Sequence, residues 1–225
     1  MSDLSSIGIF QYIVFGAVMF AAIVGMLQTF KKKVPMYFML YICGVWCFAI
    51  RLIYIGLIGL CGEVYSEATS LGFLGLGGMF AFFTSANYGT FNSLIDDKTH
   101  KMHLLRTVAL LNGLFVIGLI AFEMKYAGYL TLFNVITLII SLFPVPFCVY
   151  FCTKFLLMKS RGDNLLIGIK PLLASTLLIC FGILFYNYFS ITDNQLGMDI
   201  SYSVYTFCII AEVFLADWGR KKWQS

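Results

Sequence analysis

Long apolar runs, broken by short polar connections, set the pattern of this chain. Seven can be marked: Ile7–Thr29, Met36–Leu60, Leu71–Ile95, Leu104–Phe122, Ala127–Leu157, Leu165–Phe189 and Met198–Trp218. Each holds about 20 residues or more, and at about 1.5 Å per residue a helix of that length covers a hydrocarbon core about 30 Å thick. Backbone groups in lipid must be satisfied within the spanning segment, and the runs lack the alternation of a barrel strand, so the pattern predicts helices. The connections are too short for a soluble domain. Residues 1–225 therefore read as a single domain: an all-α integral membrane protein, a bundle of seven transmembrane helices.

Composition agrees. The chain is 60% hydrophobic and only 12% charged, with a mean hydropathy of +0.90, and a soluble domain of 225 residues could not hide that much apolar surface in one core. Charge then sets direction. Lys31–Lys33, Lys98, Lys101, Arg106, Lys154, Lys159, Arg161 and Arg220–Lys222 fall on one side, which is twelve of the fifteen Lys and Arg. The other side has Lys125 with Glu63, Glu67, Glu123, Asp193 and Asp199. Positive residues stay inside, so the N-terminus is expected outside and the C-terminus in the cytoplasm, in a multi-pass protein of the plasma membrane. Tyr37, Trp218 and Trp223 are expected as anchors at the inner boundary, with Tyr12, Tyr126 and Tyr129 at the outer one. No cationic segment precedes the first run, which reads as an uncleaved anchor. The net charge of +4 is absorbed by this bias, and no nucleic-acid partner is expected.

The polar residues inside the runs carry the functional signal. In "FFTSANYGTFNSLIDDK" (Phe82 to Lys98), Gly77, Ala81, Ser85, Gly89 and Ser93 recur every four residues, a small-residue seam along which a neighbouring helix could approach. Thr84, Tyr88 and Asn92 form a parallel polar stripe flanked by Asn87. Counted at about 1.5 Å per residue, Asn87, Asn112 and Glu212 share a depth about 10–13 Å from the inner boundary, with Lys170 about 8 Å deep. Tyr88, Asn92 and these four residues make an expected inner polar cluster. Charges in hydrocarbon are costly and usually pair, so Lys170 and Glu212 are expected to form an ion pair, either as a structural clasp or as a switch or proton relay.

Arg51 in "CFAIRLIYIG" lies about 13 Å below the outer boundary, level with Asn134, Tyr202 and Tyr205. Either its stem snorkels outward to Glu63 or Glu67, or its guanidinium floors an outward-facing cavity. In the second case Arg51, Tyr54, Asn134, Tyr202 and Tyr205 would suit an anionic, partly aromatic or lipid-like ligand.

Other signals are weaker. Pro144 and Pro146 should bend the fifth run. "DDKTHKMH" spaces Asp96, Asp97, His100 and His103 as a metal could use, but a solvated cap explains them, and no metal is expected. Six of seven cysteines lie in the runs and read as small apolar packing residues. Histidines at membrane depth, a nucleophile elbow, H-E-x-x-H and a lysine midway along the last run are all missing. No catalytic residue, cofactor or retinal attachment is therefore expected.

In span count, orientation and an aromatic-rich stretch such as "YICGVWCFAIRLIYIG", the whole chain resembles seven-span receptors. It is more similar to the seven-helix input modules of bacterial signalling proteins. The resemblance implies a sensor or receptor-like module that binds a small anionic or lipid-like ligand in its outer half. Since the sequence ends at Ser225, it would signal through a cytoplasmic or membrane partner, presenting "KSRGDN" and "DDKTHKMH". A small transporter or channel subunit is the alternative, and a membrane assembly or immunity-type protein without ligand is a third. The apolar belt at Phe80–Phe83, Phe115–Ile120 and Leu178–Leu184 separates the two polar levels and favours sensing.

Overall fold

The computed structural model describes residues 3–31, 34–61, 68–91, 106–118, 139–158 and 164–224. Helix α1 spans Asp3–Lys31, α2 Met36–Cys61 and α3 Ala68–Ala86, which continues into a π turn at Asn87–Phe91. Then come α4, Arg106–Gly118, α5, Pro144–Leu157, α6, Asn164–Ile191, and α7, Gln195–Gln224. The all-α expectation holds, with no strand among the described residues. Five helices are long and apolar enough to cross a membrane: α1, α2, α6, α7, and α5 together with the helical turn at 139–142. The described part of α4 is shorter. The chain is thus a membrane protein built as a helix bundle.

Packing follows a closed circuit. α2 lies against α1, α3 and α7, α5 lies against α3 and α6, and α6 and α7 form the most extensive pair, with α1 completing the circuit against α7. α4 sits on α5, where a Cβ added to Gly113 would stand 3.3 Å from the Pro146 carbonyl. Between the helices Val45, Phe48, Phe80, Phe83, Ile179 and Ile209 are fully buried. Outward faces carry exposed apolar side chains, among them Phe20, Leu27 and Phe30 of α1 and Leu110, Leu111 and Phe115 of α4, as a lipid-facing surface requires.

Close approach rests on glycine. A Cβ on Gly75 would stand 2.8 Å from the Cys47 carbonyl, and one on Gly219 would stand 2.9 Å from the Gly168 carbonyl. These are backbone contacts and cannot yield by a rotamer change. The turn from α6 to α7 is equally determined. Asp193 takes a left-handed φ of 52°, the Asn194 amide bonds back to the Phe189 carbonyl at 2.9 Å, and the Asn194 side chain accepts from the Gly197 amide at 3.0 Å. That sequence of bonds closes one helix and caps the next.

At Pro144 and Pro146, where the sequence predicts a bend, the helical path continues: Phe143 keeps helical angles (φ −54°, ψ −39°), its amide bonds the Ile139 carbonyl at 2.9 Å, and Pro144 opens α5. One expected anchor is corrected. Tyr37 is fully buried between α2 and α7, where its hydroxyl would stand 3.6 Å from a Cβ on Gly219, whereas Trp218 is exposed as an interfacial residue should be.

Candidate functional site

The half of the bundle towards the C-terminal end of α7 holds a hydrogen-bond network drawn from five elements. Glu212 of α7 is 0% exposed, and its Oε1 stands 2.8 Å from the hydroxyl of Thr176 on α6. Thr176 also reaches the Leu172 carbonyl of its own helix at 2.9 Å and the Tyr41 hydroxyl of α2 at 3.4 Å. Tyr41 donates to Asn87 Oδ1 at 3.1 Å, and Asn87 Nδ2 donates to the Cys152 sulfur of α5 at 3.4 Å. Beside it Ser175 donates to the Cys208 carbonyl at 3.2 Å. Glu212 Oε2 is buried with no hydrogen-bond partner. Tyr41 is further held by stacking on Phe83, ring centroids 4.8 Å apart.

Asn87 and Glu212 are thus brought together as their depth implied, but the ion pair is not formed. Lys170 precedes Thr176 by six residues, which on an α-helix is a rotation of about 240°, so it lies half-buried on a different face of α6. Glu212 meets a neutral hydroxyl instead. The acid that does pair at this end is Asp217, bound by Arg220 and, at 2.6 Å, by Lys221. Asn112 also leaves the cluster: its amide donates to Thr153 at 2.9 Å and fastens α4 to α5. Tyr88 is 60% exposed and rests edge-on against Phe151, while Asn92 lies outside the described residues.

The small-residue seam is corrected as well. Gly77 does pack, with a Cβ there reaching within 2.7 Å of Ser141 Cα, but Ala81, Ser85 and Gly89 are exposed, and Ser93 lies outside the described residues. A four-residue repeat drifts by about 40° per step on a helix of 3.6 residues per turn, so the series leaves the packed face after one step. The working glycines are Gly75 and Gly78, both against Cys47 of α2. Thr84 donates to the Pro144 carbonyl at 3.3 Å, a bond between α3 and α5.

In the opposite half of the bundle Arg51, Tyr202 and Tyr205 meet. The Arg51 guanidinium stands over the Phe48 ring, 5.7 Å from its centroid, and is the charged neighbour of both tyrosines. Tyr186 of α6 joins them, its ring 6.2 Å from those of Tyr202 and Tyr205, which are 5.3 Å from each other. The stem of Arg51 lies against α3, since a Cβ on Gly75 would come within 2.9 Å of its Cβ. Tyr54 is half-buried and makes no ring contact or hydrogen bond with this group. Asn134, Glu63 and Glu67 lie outside the described residues.

Sequence reasoning missed Tyr41, Thr176, Cys152 and Tyr186. Hydroxyls and thiols in apolar runs are common and weakly polar, and only Asn87 and Glu212 stand out by cost. Among the described residues no group of three or more His, Cys, Asp or Glu is placed to hold a metal, and the six described cysteines inside the helices are free thiols. No protein-family model, curated protein or solved structure matches the chain.

Proposed function

We propose that this protein is a seven-helix membrane sensor or receptor-like module, with its N-terminus outside and its C-terminus in the cytoplasm. Its ligand is a small anionic or lipid-like molecule bound beside Arg51, Tyr202 and Tyr205, and it signals through a cytoplasmic or membrane partner. α3 with its π turn and α4 complete the seven spans. The observation that carries this reading is the layer between the two polar groups: Val45, Phe48, Phe80, Phe83, Ile179 and Ile209 are all fully buried. A transport path needs polar groups that connect its two sides, whereas a sensor needs two sites coupled through packed helices.

The test is binding and flux together. Short-chain phosphatidate and simple aromatic carboxylates, offered to the purified protein, should raise its melting temperature, and Arg51→Gln should abolish the shift. Proteoliposomes under an imposed pH gradient should show no proton flux above protein-free vesicles. A second reading, a proton-coupled transporter, is favoured by the buried acid Glu212, which meets a neutral hydroxyl and no cation among the described residues. Saturable flux lost in Glu212→Gln would establish that reading in place of the first.

A further inference from the structure

The inner network contains more contacts than its hydroxyls can fill. Tyr41 and Thr176 carry one hydroxyl proton each. Four oxygen pairs depend on them: Tyr41 with Asn87 Oδ1 at 3.1 Å, Tyr41 with Thr176 at 3.4 Å, Thr176 with the Leu172 carbonyl at 2.9 Å, and Thr176 with Glu212 Oε1 at 2.8 Å. The amide oxygen of Asn87 can only accept and takes the Tyr41 proton, while the single Thr176 proton faces two acceptors, the Leu172 carbonyl and Glu212 Oε1. A proton on Glu212 lets both contacts be hydrogen bonds at once, the Thr176 oxygen accepting from Glu212 while its own proton goes to the Leu172 carbonyl. With Glu212 ionised, the Thr176 proton would serve the 2.8 Å contact and the 2.9 Å contact with the Leu172 carbonyl would go without one.

The surroundings agree with a neutral acid. Glu212 is 0% exposed, and its Oε2 accepts no hydrogen bond among the described residues, the neighbouring Ser175 hydroxyl donating to the Cys208 carbonyl. A carboxylate there would leave a full charge in the bundle with one oxygen bare, at a cost that normally enforces pairing. Among the described residues no cation pairs with it. The titratable groups nearest it are Tyr41 from α2, the Cys148 and Cys152 thiols from α5, Cys180 from α6 and Cys208 on α7 itself. α1, which packs on α7, presents Gly25 to Val213. The basic residues Arg220 and Lys221 are engaged by Asp217, and Lys170 faces another way.

We propose that Glu212 is a proton-binding site whose carboxyl group donates to Thr176 in the state described, and whose deprotonation rearranges the Tyr41–Asn87–Thr176 network. On release the electron pair stays on the carboxylate and the proton passes to a water or buffer base. The Thr176 hydroxyl then turns from the Leu172 carbonyl towards Glu212 Oε1. Since Thr176 also touches Tyr41, and Tyr41 holds Asn87, one proton alters contacts among α2, the π turn, α6 and α7. The inference stands apart from the outer ligand: it depends on nothing at Arg51, and the thermal shifts above do not report it.

Infrared spectroscopy of the full chain in lipid tests it directly. A carbonyl stretch of a protonated carboxylic acid, sensitive to deuterium, should be present at neutral pH and missing from Glu212→Gln. Thr176→Val should move that band to higher frequency, because the acid loses its acceptor. Should Glu212→Gln fail to fold, carbon-13 labelling of glutamate with the Thr176→Val shift makes the same assignment. Rising pH should replace the band with carboxylate bands and change the tyrosine ring bands, with the tyrosine response lost in Tyr41→Phe. Carboxylate bands for Glu212 at neutral pH without the protonated band would overturn the proton site. A protonated band unmoved across the whole range over which the protein stays folded would overturn the rearrangement.

Discussion

At the scale of single residues, depth proved legible and direction did not. An asparagine and a glutamate within apolar runs announce themselves by cost, and Asn87 and Glu212 do share one network. Their height along the bundle follows from counting residues. Which neighbour each one faces depends on helix rotation, and an error of one residue turns a side chain by about 100°. Lys170 was therefore a reasonable partner by height and a wrong one by angle, while Thr176, one of many hydroxyls, gave no signal. The consequence is measurable. Lys170→Met and Glu212→Gln should show a coupling near zero in a double-mutant cycle of thermal stability, because no bond joins them. Tyr41→Phe should cost about 1 kcal/mol, in the range found for interhelical hydrogen bonds in membranes. Combined with Asn87→Ala it should cost less than the sum of the two single changes, since each variant already removes the same bond. Additive losses would mean that the 3.1 Å contact contributes nothing.

At the scale of helices, the apolar runs located the elements and missed their ends and their packed faces. α7 extends from Gln195 to Gln224, beyond the apolar limits Met198 and Trp218, because polar residues continue the helix where no hydrocarbon selects against them. α3 changes pitch at Asn87–Phe91, and a π turn inserts a residue into the register, which no count at a fixed period anticipates. For the same reason the small residues of the third run are unequal. Gly75→Leu and Gly219→Leu should each destabilise the protein by about 3 kcal/mol or more, since a Cβ there meets a backbone carbonyl below 3.0 Å. Ser85→Leu and Gly89→Leu should melt close to the native temperature, because Ser85 is exposed and a Cβ on Gly89 meets nothing within 4 Å. Thermal denaturation of the four variants in one detergent would separate the two classes. A large loss in the second pair would restore the continuous seam.

At the scale of the whole molecule, class was legible because hydropathy is a summed property, while the circuit of helices was not. Which helix neighbours which is decided by side-chain complementarity at sites such as Gly168 against Gly219 or Gly25 against Ile42, and no single position in the sequence declares it. Orientation is the remaining global property, and it decides what the two polar levels are for. α7 carries Arg220 and Lys221 at its end, where they hold Asp217, and Lys31, Arg106, Lys154, Lys159 and Arg161 fall at or near helix ends on the same side by sequence. Positive residues resist translocation, so that side should be cytoplasmic and the Arg51 group should open towards the exterior. Cysteine placed at Ser5 should react with a membrane-impermeant maleimide added to intact cells, above the background of the native thiols, and cysteine placed at Ser225 should react after the membrane is opened. The reverse result would put Arg51, Tyr202 and Tyr205 on the cytoplasmic half and Glu212 on the outer half. An external ligand would then meet the basic helix ends and not the Arg51 group, and the buried proton site at Glu212 would lie nearer the medium, turning the molecule from a ligand sensor into a monitor of external pH.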